Sequence, residues 1–372
     1  MLRRFHVSLT LICGLLITAL SVLTAAPASA QEKVLNVYNW SDYIAKDTLA
    51  KFSSETGIKV NYDVYDGNEI LEAKLLAGKS GYDVVFPSTS PFFTKQVKAG
   101  IYLSLDKAKI PNLSTLDPAV MAQIAKYDPA NAHGVPYMMA GTGIGYNVKK
   151  IKELMPDAPI GSLAMIFDPK VLLKLKGCGV TVLDSPEEVF SAALAWLGKD
   201  PASQTDADLK LASDAVLKAR PSYKYIHSSA YINDLANGNT CVVLGYAGDL
   251  VQARQRAKEA GRGVEIGIFL PKEGAAFNID VAAIPKDAPH VDNAHTFINF
   301  LMRPEIIAAV TNETGYANAV RGAEAFVKPE IKSDQVIYPP AAVQAKLYMI
   351  PPAEQAFERA RTREWTRIKT RY

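Results

Sequence analysis

The chain is poor in the residues from which catalytic and metal centres are usually built. Of 372 residues only five are histidine and three cysteine. The histidines show no ligand spacing: His290 and His295 fall on one predicted helix, but not at i, i+4. No nucleophile elbow or zincin motif occurs, so an enzyme reading has no group to act with. A strong charge of one sign is missing as well. Setting aside Arg3 and Arg4, which belong to the N-terminal segment treated below, 39 basic residues face 38 acidic ones. That balance gives no support for nucleic-acid or membrane-surface binding. The run Gly141-Thr142-Gly143-Ile144-Gly145 spaces its glycines G-x-G-x-G, not G-x-G-x-x-G, and no acid follows at the distance a ribose needs. Nucleotide binding is rejected. Internal repeats and low-complexity segments are absent, and past residue 30 no apolar run is long enough to span a bilayer.

What is present begins with an export signal. Arg3 and Arg4 precede an apolar run from Leu9 to Leu23, and Ala28-Ser29-Ala30 supplies the small residues of a cleavage site. Residues 1–30 therefore read as a secretory signal peptide. The roughly 340 residues that remain exceed what one hydrophobic core usually holds, so two domains are expected. Cys13 leaves with the signal. Cys178 and Cys241 remain, an even pair in an oxidising compartment, and read as a disulfide against the alternative of two buried thiols. For a loop of this length such a bond contributes about 4 kcal/mol by chain-entropy reasoning.

From Leu35 to Gly100 the pattern alternates strand and helix, which predicts a parallel sheet covered on both faces. Strands are expected at 35–38, 58–65 and 82–86. Asp47 and Asn68 are expected to cap the intervening helices, and a third helix is expected from Pro91 to Ala99. Residues 101–135 read as irregular. The extended run at 136–147 reads as a crossing between two α/β blocks. The second block, to about 276, predicts helices at 187–197, 206–219, 229–237 and 249–260, with strands at 180–183, 240–244 and 264–270. A strand at 277–283 and helices at 292–302, 304–313 and 353–371 follow. The last carries Arg359, Arg361, Arg363, Arg367, Lys369 and Arg371, and reads as a solvated face with Trp365 docked inward.

The candidate site residues gather at strand ends. In an open α/β sheet the loops leaving carboxyl ends face the ligand crevice, and the first such loop holds Trp40, Ser41, Asp42 and Tyr43. Aromatic faces attract a cation and carboxylates neutralise it, so this loop suits a cationic organic guest. Ser88 and Ser90 leave the same edge, although Ser90 before Pro91 also fits a helix cap. Asp280 interrupts an apolar strand, with Asn278 on its face. A carboxylate there needs a local arginine or a ligand cation. Asp249 reads either as a helix N-cap or as a site acid. Glu188 closes a capping box with Ser185, or serves a site.

Taken together these segments resemble the periplasmic polyamine-binding proteins of ABC uptake systems, most closely the putrescine-binding type. The resemblance rests on NVYNWSDYIA at 36–45, YDVVFPSTS at 82–90, TGIGYN at 142–147, LDSPEEVF at 183–190, HSSAYINDLANG at 227–238, YAGD at 246–249, NIDV at 278–281 and GYANA at 315–319. It implies an α/β, two-lobed periplasmic binding protein fold of type II. Each lobe would be a mixed β-sheet covered by helices, with a hinge between them. Lobe 1 would hold 31–138 plus 277–314, and lobe 2 would hold 139–276 plus 315–372. It further implies a periplasmic monomer without cofactor that hands its ligand to a membrane permease. By motif position Trp40, Tyr246 and Tyr316 would form the aromatic wall. Ser41, Asp249 and Asp280 would hold one ammonium, and Asp42, Tyr43 and Glu188 the other. Ser88, Ser90 and Ser228 would line the cleft, and Cys178 and Cys241 match the family's disulfide. Tyr246 stands where the family usually has Trp, and Asn278 where it generally has an aromatic, which makes the wall more polar or roomier.

Overall fold

The computed structural model describes residues 33–370; the predicted signal peptide lies outside them. Strand β1 (Val34–Trp40) shows the period of two expected of a strand with one well-covered face: Leu35, Val37 and Asn39 are buried and their neighbours are not. Nine more strands follow: β2 (Lys59–Tyr65), β3 (Val84–Val85), β4 (Gly134–Asn147), β5 (Val180–Val182), β6 (Tyr223–Ile226), β7 (Val242–Tyr246), β8 (Ile266–Phe269), β9 (Ala275–Ala283) and β10 (Leu347–Tyr348). Their spatial order is β2-β1-β3-β9-β4-β7-β5-β6, with β8 on β4 and β10 on β9. β1 runs parallel to β2 and β3, as the alternating pattern predicts, while β9 joins β3 antiparallel and makes the sheet mixed.

The expected crossing at 136–147 is a strand. The first part of β4, Gly134 to Gly141, pairs with β9, and its second part, from Thr142, pairs with β7 and β8. Two large buried cores flank it. One gathers Leu35, Phe52, Phe86, Phe297 and Ile307. The other gathers Val182, Val189, Leu194, Val216, Leu244 and Leu250. Each such side chain contributes about 1.5–3 kcal/mol when fully buried, so neither core depends on the other for a hydrophobic interior. Tyr316, Val320, Val327 and Ile337 pack into the first core, although the sequence reading assigns residues 315–372 to the second lobe.

Helix positions follow the sequence closely, and helix caps do not. Asp47 makes no side-chain cap bond; its carboxylate pairs with Lys51 at 2.6 Å. Gly67, not Asn68, occupies the next cap, because the Asn68 amide is engaged by Ser88. The irregular stretch contains a helix at Pro118–Ile124 whose cap, Asp117, accepts from the Ala119 and Val120 amides. The final helix, Gln355–Thr370, docks Trp365 inward as expected, but Arg361, read as part of the solvated face, is also only 5% exposed. Cys178 and Cys241 form a disulfide with Cα atoms 5.5 Å apart. Among the described residues no helix is long and apolar enough to cross a membrane.

Candidate ligand-binding cavity

Alternation along β9 buries Ile279 and Val281 and turns Asn278 and Asp280 to the other face. There the Asp280 carboxylate accepts from the Tyr43 hydroxyl at 2.7 Å and the Ser88 hydroxyl at 2.6 Å. Ser88 is held in place by Asn68, whose amide nitrogen donates to its Oγ at 3.1 Å. No arginine pairs with Asp280 among the described residues. Burial pushes its carboxyl up to about 6, against the two hydroxyls, which favour the ion.

Asp249 lies in the first turn of the helix Ala247–Ala260, one turn inside the cap position expected of it. Its carboxylate accepts from the Tyr231 hydroxyl at 2.6 Å and the Tyr316 hydroxyl at 2.8 Å. Two glycines allow these rings so close. A Cβ on Gly248 would stand 2.1 Å from the Tyr316 ring, and one on Gly245 would stand 2.7 Å from the Tyr231 ring. Burial raises the Asp249 carboxyl to about 7. The rings of Tyr43 and Tyr316 meet edge to face at 4.6 Å, so the supports of Asp280 and Asp249 lean on one another.

Glu188 does not close a capping box. Ser185 makes no side-chain cap bond, and the Glu188 carboxylate instead accepts from the Thr142 hydroxyl of β4 at 2.5 Å. Burial raises it to about 7. Neutral hydroxyls stabilise each of these three carboxylates without cancelling its charge. That charge stays available to a guest.

Trp40 and Tyr246 provide the aromatic faces, with ring centroids 6.2 Å apart and planes at 71°. The Trp40 indole nitrogen donates to the Phe86 carbonyl at 2.7 Å, which fixes the ring. The Ser41 hydroxyl donates to the Tyr65 carbonyl and the Ser90 hydroxyl to the Ile350 carbonyl. The Ser228 hydroxyl accepts from the Asp184 amide. The Asn278 side chain donates to the Ser90 carbonyl, so its amide is spent on the wall. Trp40, Ser41, Ser90, Ser228, Tyr246 and Asn278 line one cavity together with Asp249, Asp280 and Glu188. Five acids line it, and no lysine, arginine or histidine of the described residues does.

Of the thirteen ligand-binding residues expected from sequence, the structure brings twelve to this cavity. Asp42 is the exception. Its carboxylate turns outward to Arg256 at 2.7 Å, and its carbonyl accepts from Gln252. Tyr43, which the sequence reading groups with Asp42 and Glu188, instead donates its hydroxyl to Asp280. The sequence reading missed Thr142, Tyr231 and Asn68 as supports, and Tyr65, Glu187 and Ile350 as lining. Thr142 and Tyr231 lie within quoted motifs, but a threonine in a strand and a tyrosine in a helix look like ordinary packing until their acid partners are known.

A profile of the bacterial extracellular solute-binding protein family matches residues 47–338. The chain belongs to this family. As a solute-binding protein it is not an enzyme. It is 49% identical to the putrescine-binding periplasmic protein PotF of Escherichia coli, covering 96% of this chain and 97% of that one. It is also 49% identical to the putrescine-binding periplasmic protein SpuD of Pseudomonas aeruginosa, over the full length of both. A putative spermidine/putrescine ABC transporter structure from Listeria monocytogenes superposes with a TM-score of 0.80 at 29% identity, covering 91% of this chain and 99% of that one. This solute-binding protein has the two-lobed type II fold of periplasmic binding proteins.

Proposed function

We propose that this chain is a periplasmic solute-binding protein that captures a polyamine, putrescine first, and delivers it to the permease of an ABC importer. One observation carries the reading: Asp249, which is buried, and Asp280 and Glu188, which are half-buried, line one aromatic-walled cavity, each held by neutral hydroxyls and, among the described residues, none by a base. An α,ω-diamine has two charged ends and an apolar middle. Asp280 and Asp249 would hold one ammonium and Glu188 the other, with Trp40 and Tyr246 against the methylenes. Relatives named for putrescine support the same ligand. The signal peptide read at 1–30 supports export, and the absence of a base from the wall disfavours an amino-acid ligand, whose carboxylate needs one. The acids dominate affinity, since removing one partner of a desolvated charge pair costs ~2–5 kcal/mol, against ~0.5–2 for a cation–π contact.

A thermal-shift panel of putrescine, cadaverine, agmatine, spermidine, γ-aminobutyrate and ferric iron tests this. Putrescine at 100 times its dissociation constant adds about 2.7 kcal/mol to the folded state. A shift with γ-aminobutyrate or iron and none with any amine would sink the proposal.

A further inference from the structure

Four tyrosines line the cavity: Tyr43, Tyr65, Tyr246 and Tyr316. Three of them spend their hydroxyls on the protein. Tyr43 donates to Asp280 at 2.7 Å, Tyr316 to Asp249 at 2.8 Å and Tyr65 to the Phe86 carbonyl at 2.6 Å. The fourth does not. The Tyr246 hydroxyl has no hydrogen-bond partner among the described residues. A polar group on the wall of a cavity that finds no partner in the protein is left to water or to a guest.

Tyr246 is nevertheless held firmly. It ends β7, where it pairs with Thr142 of β4 in antiparallel register, so the two side chains stand side by side on one face of the sheet. Its backbone amide donates to the Tyr231 hydroxyl at 3.1 Å, and its ring packs against Trp40 and against both hydrophobic cores. The Thr142 hydroxyl in turn donates to Oε2 of Glu188 at 2.5 Å, and Oε1 of that carboxylate accepts no hydrogen bond among the described residues. The register thus sets Tyr246 beside Glu188. Burial, and then the charges of Glu188, Glu69, Asp249 and Asp280, hold the phenol well above its usual range. It is therefore a neutral hydroxyl, with one proton to give and two lone pairs to receive.

We infer that the Tyr246 hydroxyl is a specificity-determining group, whose oxygen accepts an N–H from the guest nitrogen that Glu188 neutralises. Oε1 of Glu188 takes one proton of that nitrogen and the phenol oxygen takes another. The face of the ring stays against the methylenes, and the oxygen at its rim reads the terminus. A guest whose second end is a primary ammonium satisfies both oxygens; a guest that ends there in a methyl group satisfies neither. This inference rests on the polyamine reading above and adds to it a residue that responds to N–H donors as well as to charge.

The test is calorimetry of the full mature chain with putrescine and with n-butylamine, on the unsubstituted protein and on Tyr246→Phe. n-Butylamine keeps the four carbons and one ammonium, which the two acids Asp280 and Asp249 hold better than Glu188 alone. Tyr246→Phe should weaken putrescine about tenfold, the low end for a hydrogen bond to a charged donor, and n-butylamine less than about twofold. A second readout separates this role from packing. Because the hydroxyl has no protein partner, the substitution should leave the melting temperature of the unliganded protein unchanged. Equal losses for the two amines, an unaltered putrescine affinity, or a lower melting temperature without ligand would each overturn the role of the hydroxyl and leave the diamine reading standing. If putrescine does not bind the unsubstituted protein, the diamine reading falls and takes this role with it.

Discussion

The acids of the cavity and the acids beneath the C-terminal helix are both well bonded, but by opposite means. Asp280, Asp249 and Glu188 are held by tyrosine, serine and threonine hydroxyls. Asp184 and Glu187 are held chiefly by cations of the last helix, Lys369 and Arg361. Trp365 adds its indole nitrogen to Asp184 at 2.7 Å. The second set glues the helix down, because each pair sums to little net charge. The first set stores negative charge in a dry place. A hydroxyl satisfies the geometry of a carboxylate and leaves its field intact; a guanidinium satisfies both and leaves nothing for a guest.

The sharpest way to break this comparison is to remove a base from the glued region. Arg361→Met strands Glu187 as an uncompensated buried charge and should lower stability by about 3–5 kcal/mol, read from denaturant unfolding. An equal loss from Lys369→Met, whose pair with the half-buried Asp184 is far more open to water, would contradict it. Next in size, Asp280→Asn should weaken putrescine binding by ~2–5 kcal/mol while leaving the unliganded melting temperature nearly unchanged or higher. Ser90→Ala, whose hydroxyl is already committed to the Ile350 carbonyl, should alter binding by less than about 1 kcal/mol. Similar effects from both would refute the assigned roles.

A pH series sharpens the same contrast. Asp249 and Glu188 are raised to about 7 and Asp280 to about 6, above their unfolded values near 4. Such groups hold more protons folded than unfolded, so their contribution to stability is full below about pH 4 and is lost as pH rises to about 7. Amine binding moves the other way, since it needs the ionised acids: affinity should fall as pH drops from about 7.5 to 5. Calorimetry across that range checks it, and a flat profile would mean the cavity acids are already ionised. Tyr43→Phe, which deletes one donor to Asp280, should fall between Asp280→Asn and Ser90→Ala, costing ~1–3 kcal/mol in affinity while moving the acid limb of that profile upward.

Much of this was legible in the chain. Periodicity located the strands and most helices to within a few residues, because burying one face imposes a period of two or 3.6 that the order of apolar residues displays. Asp280 stands out in the sequence as a charge set into an apolar strand, whereas Asp249 and Glu188 read as helix-cap residues or site acids. The partners of these acids do not stand out. Tyr231 lies eighteen residues from Asp249 and Tyr43 lies 237 from Asp280; no local rule links hydroxyls to carboxylates over such spans. Asp42 failed for a local reason. It adopts a positive φ of 54°, which swings its side chain away from the direction that strand alternation implies for its neighbours.

The way β4 is shared has a practical side. One uninterrupted strand is hydrogen-bonded to β9 along its first stretch and to β7 and β8 along its second, so severing the backbone there leaves raw edges on both fragments. A fluorescent reporter inserted to signal amine capture should therefore avoid 134–147. The exposed turn at Gly198-Lys199-Asp200 offers a join that no ladder crosses.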